Sequence, residues 1–229
     1  EYVFVPAAPC NLTLTLSDGS SQTLRINLRE GKEPTAAKQD YMVSDTNLQS
    51  VFTEVGFTEL ESTIAQKTAS TNPTPLWDGK FVYPDAANKG TVGKGMAGYG
   101  TYRSVKSLYQ REYFHYGLDI AMNEGDAVYA ANNGKVVFAG NLALTGNTVI
   151  IDHGCSLFTY YYHLSSLSVA EGDAVSKSGV IGAAGSTGFA VKAGTATFDA
   201  APQVHFAASL NGKYINPYYL WKYDISYPA

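Results

Sequence analysis

Apolar residues alternate with polar ones at Leu12, Leu14 and Leu16, and again at Leu24, Ile26 and Leu28, on either side of Ser17-Asp18-Gly19-Ser20. Period-two alternation gives each strand one buried face, and the glycine-bearing turn joins them, so the pattern predicts a hairpin. From residue 45 the period lengthens. Leu48, Val51, Phe52 and Val55 form an i, i+3, i+4, i+7 stripe behind Ser44 or Asp45 as a cap, which predicts a helix. Thr58 and Glu61 have the spacing of a capping box that would open a further helical turn. Residues 69–75 are polar, aperiodic and carry two prolines, and they predict a linker. The chain is thus expected to hold a small α+β domain over residues 1–72 and a second domain over residues 73–229.

In the second part, short alternating apolar runs recur between glycine-rich turns at 127–131, 135–139, 148–152, 157–164, 174–176, 180–183 and 204–210. Runs of this length and spacing predict antiparallel strands packed as a sandwich or barrel. Gly182, Gly185 and Gly188 lack the strand-to-helix setting of a phosphate cradle and are expected as turns near a groove.

Composition supports a mainly β fold. Charged residues are 16% of the 229, aromatics are 13%, and there are 22 glycines and 17 tyrosines, a mix suited to strands and tight turns. A net charge of -4 and a pI near 5.5, with no basic run, exclude general binding to a phosphate backbone, so nucleic acid is not an expected partner. No run approaches the length of a membrane-spanning helix and no charged-then-apolar leader precedes Glu1, so the chain reads as a mature fragment with any signal or anchor removed. Cys10 and Cys155 fit no metal motif and are expected as unpaired thiols, with one long-range disulfide as the alternative.

Chemistry concentrates in four histidines, all in the second part. In the stretch from Phe114 to Ile120, His115, Gly117 and Asp119 occupy one parity and large apolar residues the other. A straight strand would hold the His115 and Asp119 Cα atoms roughly 13 Å apart, so shared metal ligation requires a bend, which Gly117 permits. Gln203 and His205 repeat the polar parity against Val204 and Phe206. Thr159, Tyr161 and His163 repeat it against Tyr160, Tyr162 and Leu164. Two histidines and an aspartate make a suitable open zinc site, whereas any single strand histidine can equally be a hydrogen-bonded structural residue.

The order His115-x-x-x-Asp119, Ile151-Asp152-His153-Gly154, Tyr161-Tyr162-His163-Leu164-Ser165 and Val204-His205-Phe206 resembles the M23 family of metallopeptidases, the lysostaphin and LytM-like enzymes. The phrases Gly117-Leu118-Asp119-Ile120-Ala121, Gly125-Asp126-Ala127-Val128 and Gly172-Asp173-Ala174-Val175 match it in order, and the likeness runs from about Trp77 to Trp221. The resemblance implies a β-rich peptidase domain in which His115, Asp119 and His205 hold one zinc ion and His163 assists water activation. It also implies hydrolysis of peptide crosslinks or stems of peptidoglycan, and hence an extracytoplasmic location. His153 is expected to be structural, and Arg103 either lies near the groove or is a solvated surface charge. Residues 1–72 are loosely similar to a small domain that precedes the catalytic domain in some envelope members.

Gln203 departs from the family, which usually carries His-x-His at the last motif. An amide can orient water or donate to an oxyanion, but it has no nitrogen that titrates near neutrality. The connection 189–201 is also longer than usual. Two classes therefore stay open: a zinc endopeptidase relying on His163 with Gln203 as a donor, or a degenerate domain that binds wall peptide or regulates another hydrolase. A third reading has the N-terminal part occlude the site. Tyr160, Tyr161, Tyr162, Tyr214, Tyr218 and Tyr219 are expected chiefly as packing residues.

Overall fold

The computed structural model describes residues 10–15, 21–26, 39–41, 46–85, 98–100, 102–105, 112–190 and 201–225. In chain order the elements are β1 (Cys10–Thr15), β2 (Ser21–Ile26), β3 (Gln39–Tyr41), α1 (Thr46–Val51), α2 (Glu54–Lys67), β4 (Tyr102–Val105), β5 (Glu112–Phe114), β6 (Gly117–Ala121), β7 (Ala127–Tyr129), β8 (Gly134–Leu142) and β9 (Gly146–Asp152). They continue with β10 (Leu157–Leu164), β11 (Ser166–Leu167), β12 (Ala174–Val175), β13 (Val180–Ala183), β14 (Gln203–Leu210), β15 (Lys213–Ile215) and α3 (Tyr218–Lys222). The fold is mainly β and almost wholly antiparallel; among the described pairings only β3–β4 runs parallel.

The largest sheet has the order β12-β8-β9-β10-β14-β15, and β6 also pairs with β14. Period-two alternation gives this sheet two apolar faces. One packs Val136, Val149, Ile151, Tyr161, Val204 and Phe206 against Val128 of β7 and Ile181 of β13, which belong to the three-stranded sheet β11-β13-β7. The other carries Ile150, Phe158, Tyr160, Tyr162 and Ala207, with Leu60 and Ile64 of α2 packed on it. The large sheet therefore lies between a small sheet and a helix, a layered solution for strands that are apolar on both sides.

The hairpin β1–β2 forms with Leu12 opposite Leu24, while its turn lies outside the described residues. Helix formation departs from expectation. The stripe through Phe52 and Val55 is split, because α1 ends at Val51 and Thr53, in extended conformation, caps α2 by accepting from the Gly56 backbone N–H at 3.1 Å. Thr58 and Glu61 fall inside α2 and form no capping box. The expected cap at Ser44 or Asp45 lies outside the described residues.

The segment expected as a linker runs along the β9–β10 turn. Asn72 N and Thr71 Oγ1 donate to the Asp152 carboxylate at 2.8 and 2.7 Å, and Asn72 O accepts from Cys155 N at 2.8 Å. A buried carboxylate and the backbone groups of a tight turn need partners, and this polar stretch supplies them. Cys155 is buried, with Sγ 3.5 Å from the Pro73 carbonyl oxygen.

Candidate metal centre

Strand register brings the first two polar groups together. In the β6–β14 pair His205 stands directly opposite Asp119, and Gln203 opposite Ala121. His115 sits in the two-residue break between β5 and β6, so the required bend falls at His115-Tyr116 and not at Gly117. Gly117 serves a different purpose: a Cβ there would overlap the His205 ring and press on the Phe206 carbonyl oxygen. The result is a compact triad. His115 Nε2 lies 3.0 Å from Asp119 Oδ1 and 3.0 Å from His205 Nδ1, and His205 Nδ1 lies 2.9 Å from Asp119 Oδ1.

The donor set fits a metal ion. His115 Nδ1 lies 3.0 Å from the Gly98 carbonyl oxygen, so a neutral ring donates there and turns the lone pair of Nε2 towards Asp119 and His205. A carboxylate oxygen and an imidazole lone pair at 3.0 Å repel unless a proton or a cation lies between them. Three such atoms meet within 4.8 Å in a mostly buried setting, and two nitrogens with one oxygen is a common zinc donor set that leaves a coordination position open.

His163 reaches this site by an irregularity that the alternation pattern missed. Simple parity groups it with Thr159 and Tyr161, against Tyr160 and Tyr162. The structure instead turns Tyr161 into the main core and Tyr162 towards the metal side, where its ring stacks on His205 at 5.1 Å and 3°. The β9–β10 register slips between Tyr161 and Leu164, and His163 adopts φ 67°, a left-handed conformation uncommon outside glycine. That bulge turns Leu164 into the core while His163 joins Tyr162 on the cavity wall. His163 Nδ1 lies 2.8 Å from the Thr187 carbonyl oxygen, which in a neutral ring leaves Nε2 as the acceptor. Its ring centroid stands 6.2 Å from that of His205.

These groups share a cavity of about 230 Å³ in which Gln203 also takes part, its backbone N–H donating to the Gly185 carbonyl at 2.9 Å. Phe189 lines the cavity too, while residues 191–200 of the long connection lie outside the described residues. Of the three glycines expected as turns, Gly182 is instead part of β13, Gly185 bridges to Gln203, and Gly188 takes positive φ against Gly146. Neither backbone carbonyl that orients a histidine, from Gly98 or Thr187, has any signature in side-chain pattern. The contribution of α2 to the cavity, through Phe57, Leu60, Glu61 and Ile64, was equally invisible in the motifs.

His153 is placed elsewhere. Nδ1 faces the Asn133 carbonyl and Nε2 the Thr159 hydroxyl, both at 2.7 Å, and burial pulls its pKa down to about 4. It is a neutral structural residue. Arg103 lies on β4, paired with Gln39 and Tyr113, and its side chain is outside the described residues. No helix among the described residues is long and apolar enough to cross a membrane.

Comparison with known proteins agrees with this architecture. Over 103 residues the chain is 38% identical to the DD-carboxypeptidase/endopeptidase Mpg of Neisseria meningitidis, covering 45% of this chain and 22% of that protein. Over 102 residues it is 34% identical to the murein hydrolase activator NlpD of Escherichia coli, covering 44% and 24%. The match thus spans under a quarter of these relatives' length. A crystal structure of a Pseudomonas aeruginosa protein assigned to peptidase M23 superposes with a TM-score of 0.56 at 22% identity, covering 93% of this chain and 73% of that one, which speaks to the fold. The family model described as Peptidase family M23 matches residues 113–217, a span that contains His115, Asp119, His163, Gln203 and His205. Residues 113–217 therefore match peptidase family M23, and the candidate metal centre lies inside that span.

Proposed function

We propose that this protein is a zinc-dependent endopeptidase that hydrolyses peptide bonds in the crosslinks or stem peptides of peptidoglycan, outside the cytoplasm. The observation that carries the reading is the convergence of three potential ligand atoms, on His115, Asp119 and His205, beside a fourth polar group, His163, whose Nδ1 meets a backbone carbonyl. Zinc held by this triad would polarise the substrate carbonyl and ease deprotonation of the attacking water.

The chain's own residues have separable tasks. With Nδ1–H donating to Thr187 O, His163 offers Nε2 to the cavity as the base that takes the proton from water, and then returns it to the leaving amine. Gln203 lines the same cavity and can donate an amide N–H to the oxygen on which charge develops, but it moves no proton. Gly98 O fixes the His115 ring, and the Tyr162 ring lies flat against His205, so both imidazoles are held without the metal.

Gln203 itself favours a second reading, in which the domain keeps metal and cleft but binds wall peptide or regulates another hydrolase. Similarity to a protein named as a murein hydrolase activator supports that alternative as well. The deciding experiment is a zinc-loaded digest of purified peptidoglycan read by mass spectrometry, with His163→Ala and Gln203→His in parallel. Released peptides that vanish in His163→Ala establish the enzyme. No release by the natural sequence, with release restored by Gln203→His, assigns the binding or regulatory role.

A further inference from the structure

Strand β10 carries three consecutive tyrosines, all buried, and their hydroxyls differ in what they meet. Tyr160 Oη lies 2.7 Å from Ser209 Oγ, a pair in which either oxygen can donate. Tyr161 Oη accepts from the Ala131 backbone N–H at 2.8 Å and from Thr159 Oγ1 at 3.1 Å. Tyr162 Oη is equally buried, yet no group among the described residues bonds it. The Tyr214 phenol is near but out of hydrogen-bonding geometry. Buried hydroxyls normally have partners, so this exception needs a physical reason.

The position of Tyr162 supplies one. Of the three tyrosines it alone lines the cavity of the metal centre, with its ring stacked on His205 and its side chain in the same cluster as Leu60 and Ile64 of α2. It thus stands between a ligand of the triad and an apolar wall that Phe52, Phe57 and Phe189 continue. A peptide entering this space gives up the water on its amide groups, and aliphatic and phenyl side chains return no hydrogen bond. A phenol both donates and accepts, so Tyr162 can restore one. Packing against His205, Tyr160 and the α2 side chains already holds the ring, so little freedom is lost when that bond forms.

We propose that Tyr162 is a substrate-binding residue whose hydroxyl hydrogen-bonds one backbone amide of the peptide held between the metal centre and α2. The proposal rests on the peptidase reading above and adds a binding residue to it. One neutral hydrogen bond of this kind is worth about five-fold in affinity.

The test measures binding of a synthetic crosslinked stem-peptide dimer by calorimetry, on the zinc-loaded 229-residue chain carrying His163→Ala to suppress cleavage. Adding Tyr162→Phe should weaken binding about five-fold, with zinc content unchanged and no loss of thermal stability, because the ring stays on His205. Analogues of the dimer in which one amide at a time is replaced by a trans alkene then locate the contact. One of them should bind equally well with and without Tyr162→Phe. Equal affinity of the two forms for the unmodified dimer overturns the proposal alone. So does a loss that persists with every analogue, which would mean that the phenol acts on the shape of the cavity, and so does a fall in zinc content. If the dimer binds neither form, the peptidase reading falls with it.

Discussion

His153 and His115 are both nearly inaccessible to solvent and both belong to the β-rich part of the chain, yet their surroundings are opposite in kind. Each nitrogen of His153 meets a group that complements it: a backbone carbonyl at one and a hydroxyl at the other. The Thr159 hydroxyl continues to Tyr161, whose own oxygen accepts from the Ala131 N–H, so the network closes on itself. At His115, Nδ1 meets a backbone carbonyl, while Nε2 faces a carboxylate and a second imidazole, each at 3.0 Å. Burial alone therefore does not mark chemistry. Convergence of two imidazole nitrogens and a carboxylate oxygen on one point does, because such a group of atoms can share a proton or a cation.

That contrast can be broken most sharply at the triad. His115→Ala or Asp119→Ala should reduce bound zinc from about one per chain to near zero while leaving a folded domain, since a site with two protein ligands is a weak zinc site. Metal content by mass spectrometry and far-UV circular dichroism check both halves; retained stoichiometric zinc would place the ion elsewhere. Next in size, His163→Ala should lower peptide hydrolysis about 100- to 10,000-fold with zinc content unchanged, the range for losing a general base. A fall in zinc content instead would make His163 a ligand.

The His153 side of the comparison is tested through pH. Its folded pKa of about 4 lies below the unfolded value near 6.5, so between those limits the unfolded chain binds a proton that the folded chain refuses. The stabilisation is complete above pH 6.5 and is lost as pH falls towards 4, amounting to about 3 kcal/mol. Urea titrations in chelator should show this slope, and His153→Gln should flatten it; an unchanged slope would assign the pH dependence to other groups. The smallest effect is at Tyr162, whose hydroxyl is buried near that of Tyr214 but without hydrogen-bonding geometry. Tyr162→Phe keeps the ring on His205 and should leave stability unchanged or raise it by up to about 1 kcal/mol, read as a shift in thermal midpoint. A clear loss would mean that the phenol is bonded in solution.

Much of the β-rich part was legible because alternation is a local property. The runs at 157–164 and 180–183 coincide with β10 and β13, and those at 135–139, 148–152 and 204–210 fall within β8, β9 and β14. Parity also correctly placed Asp119 and His205 on one face, since side-chain direction in a regular strand follows from position. The same rule failed at His163, because its left-handed backbone breaks the alternation that Tyr160, Tyr161 and Tyr162 still obey. The helical stripe at 48–55 failed for a related reason: Thr53 offered the backbone a better partner as a cap than as an interior residue.

By itself, then, the sequence determined a mainly β chain, the strands that carry Asp119, His163 and His205, and the family these motifs resemble. Those properties follow from short-range periodicity and residue chemistry. Tertiary structure decided which polar atoms meet, how Gly98 and Thr187 aim the two imidazoles, and that α2 walls the cleft. Such outcomes depend on register between distant strands and on backbone carbonyls, which every residue possesses and which no pattern of side chains can encode.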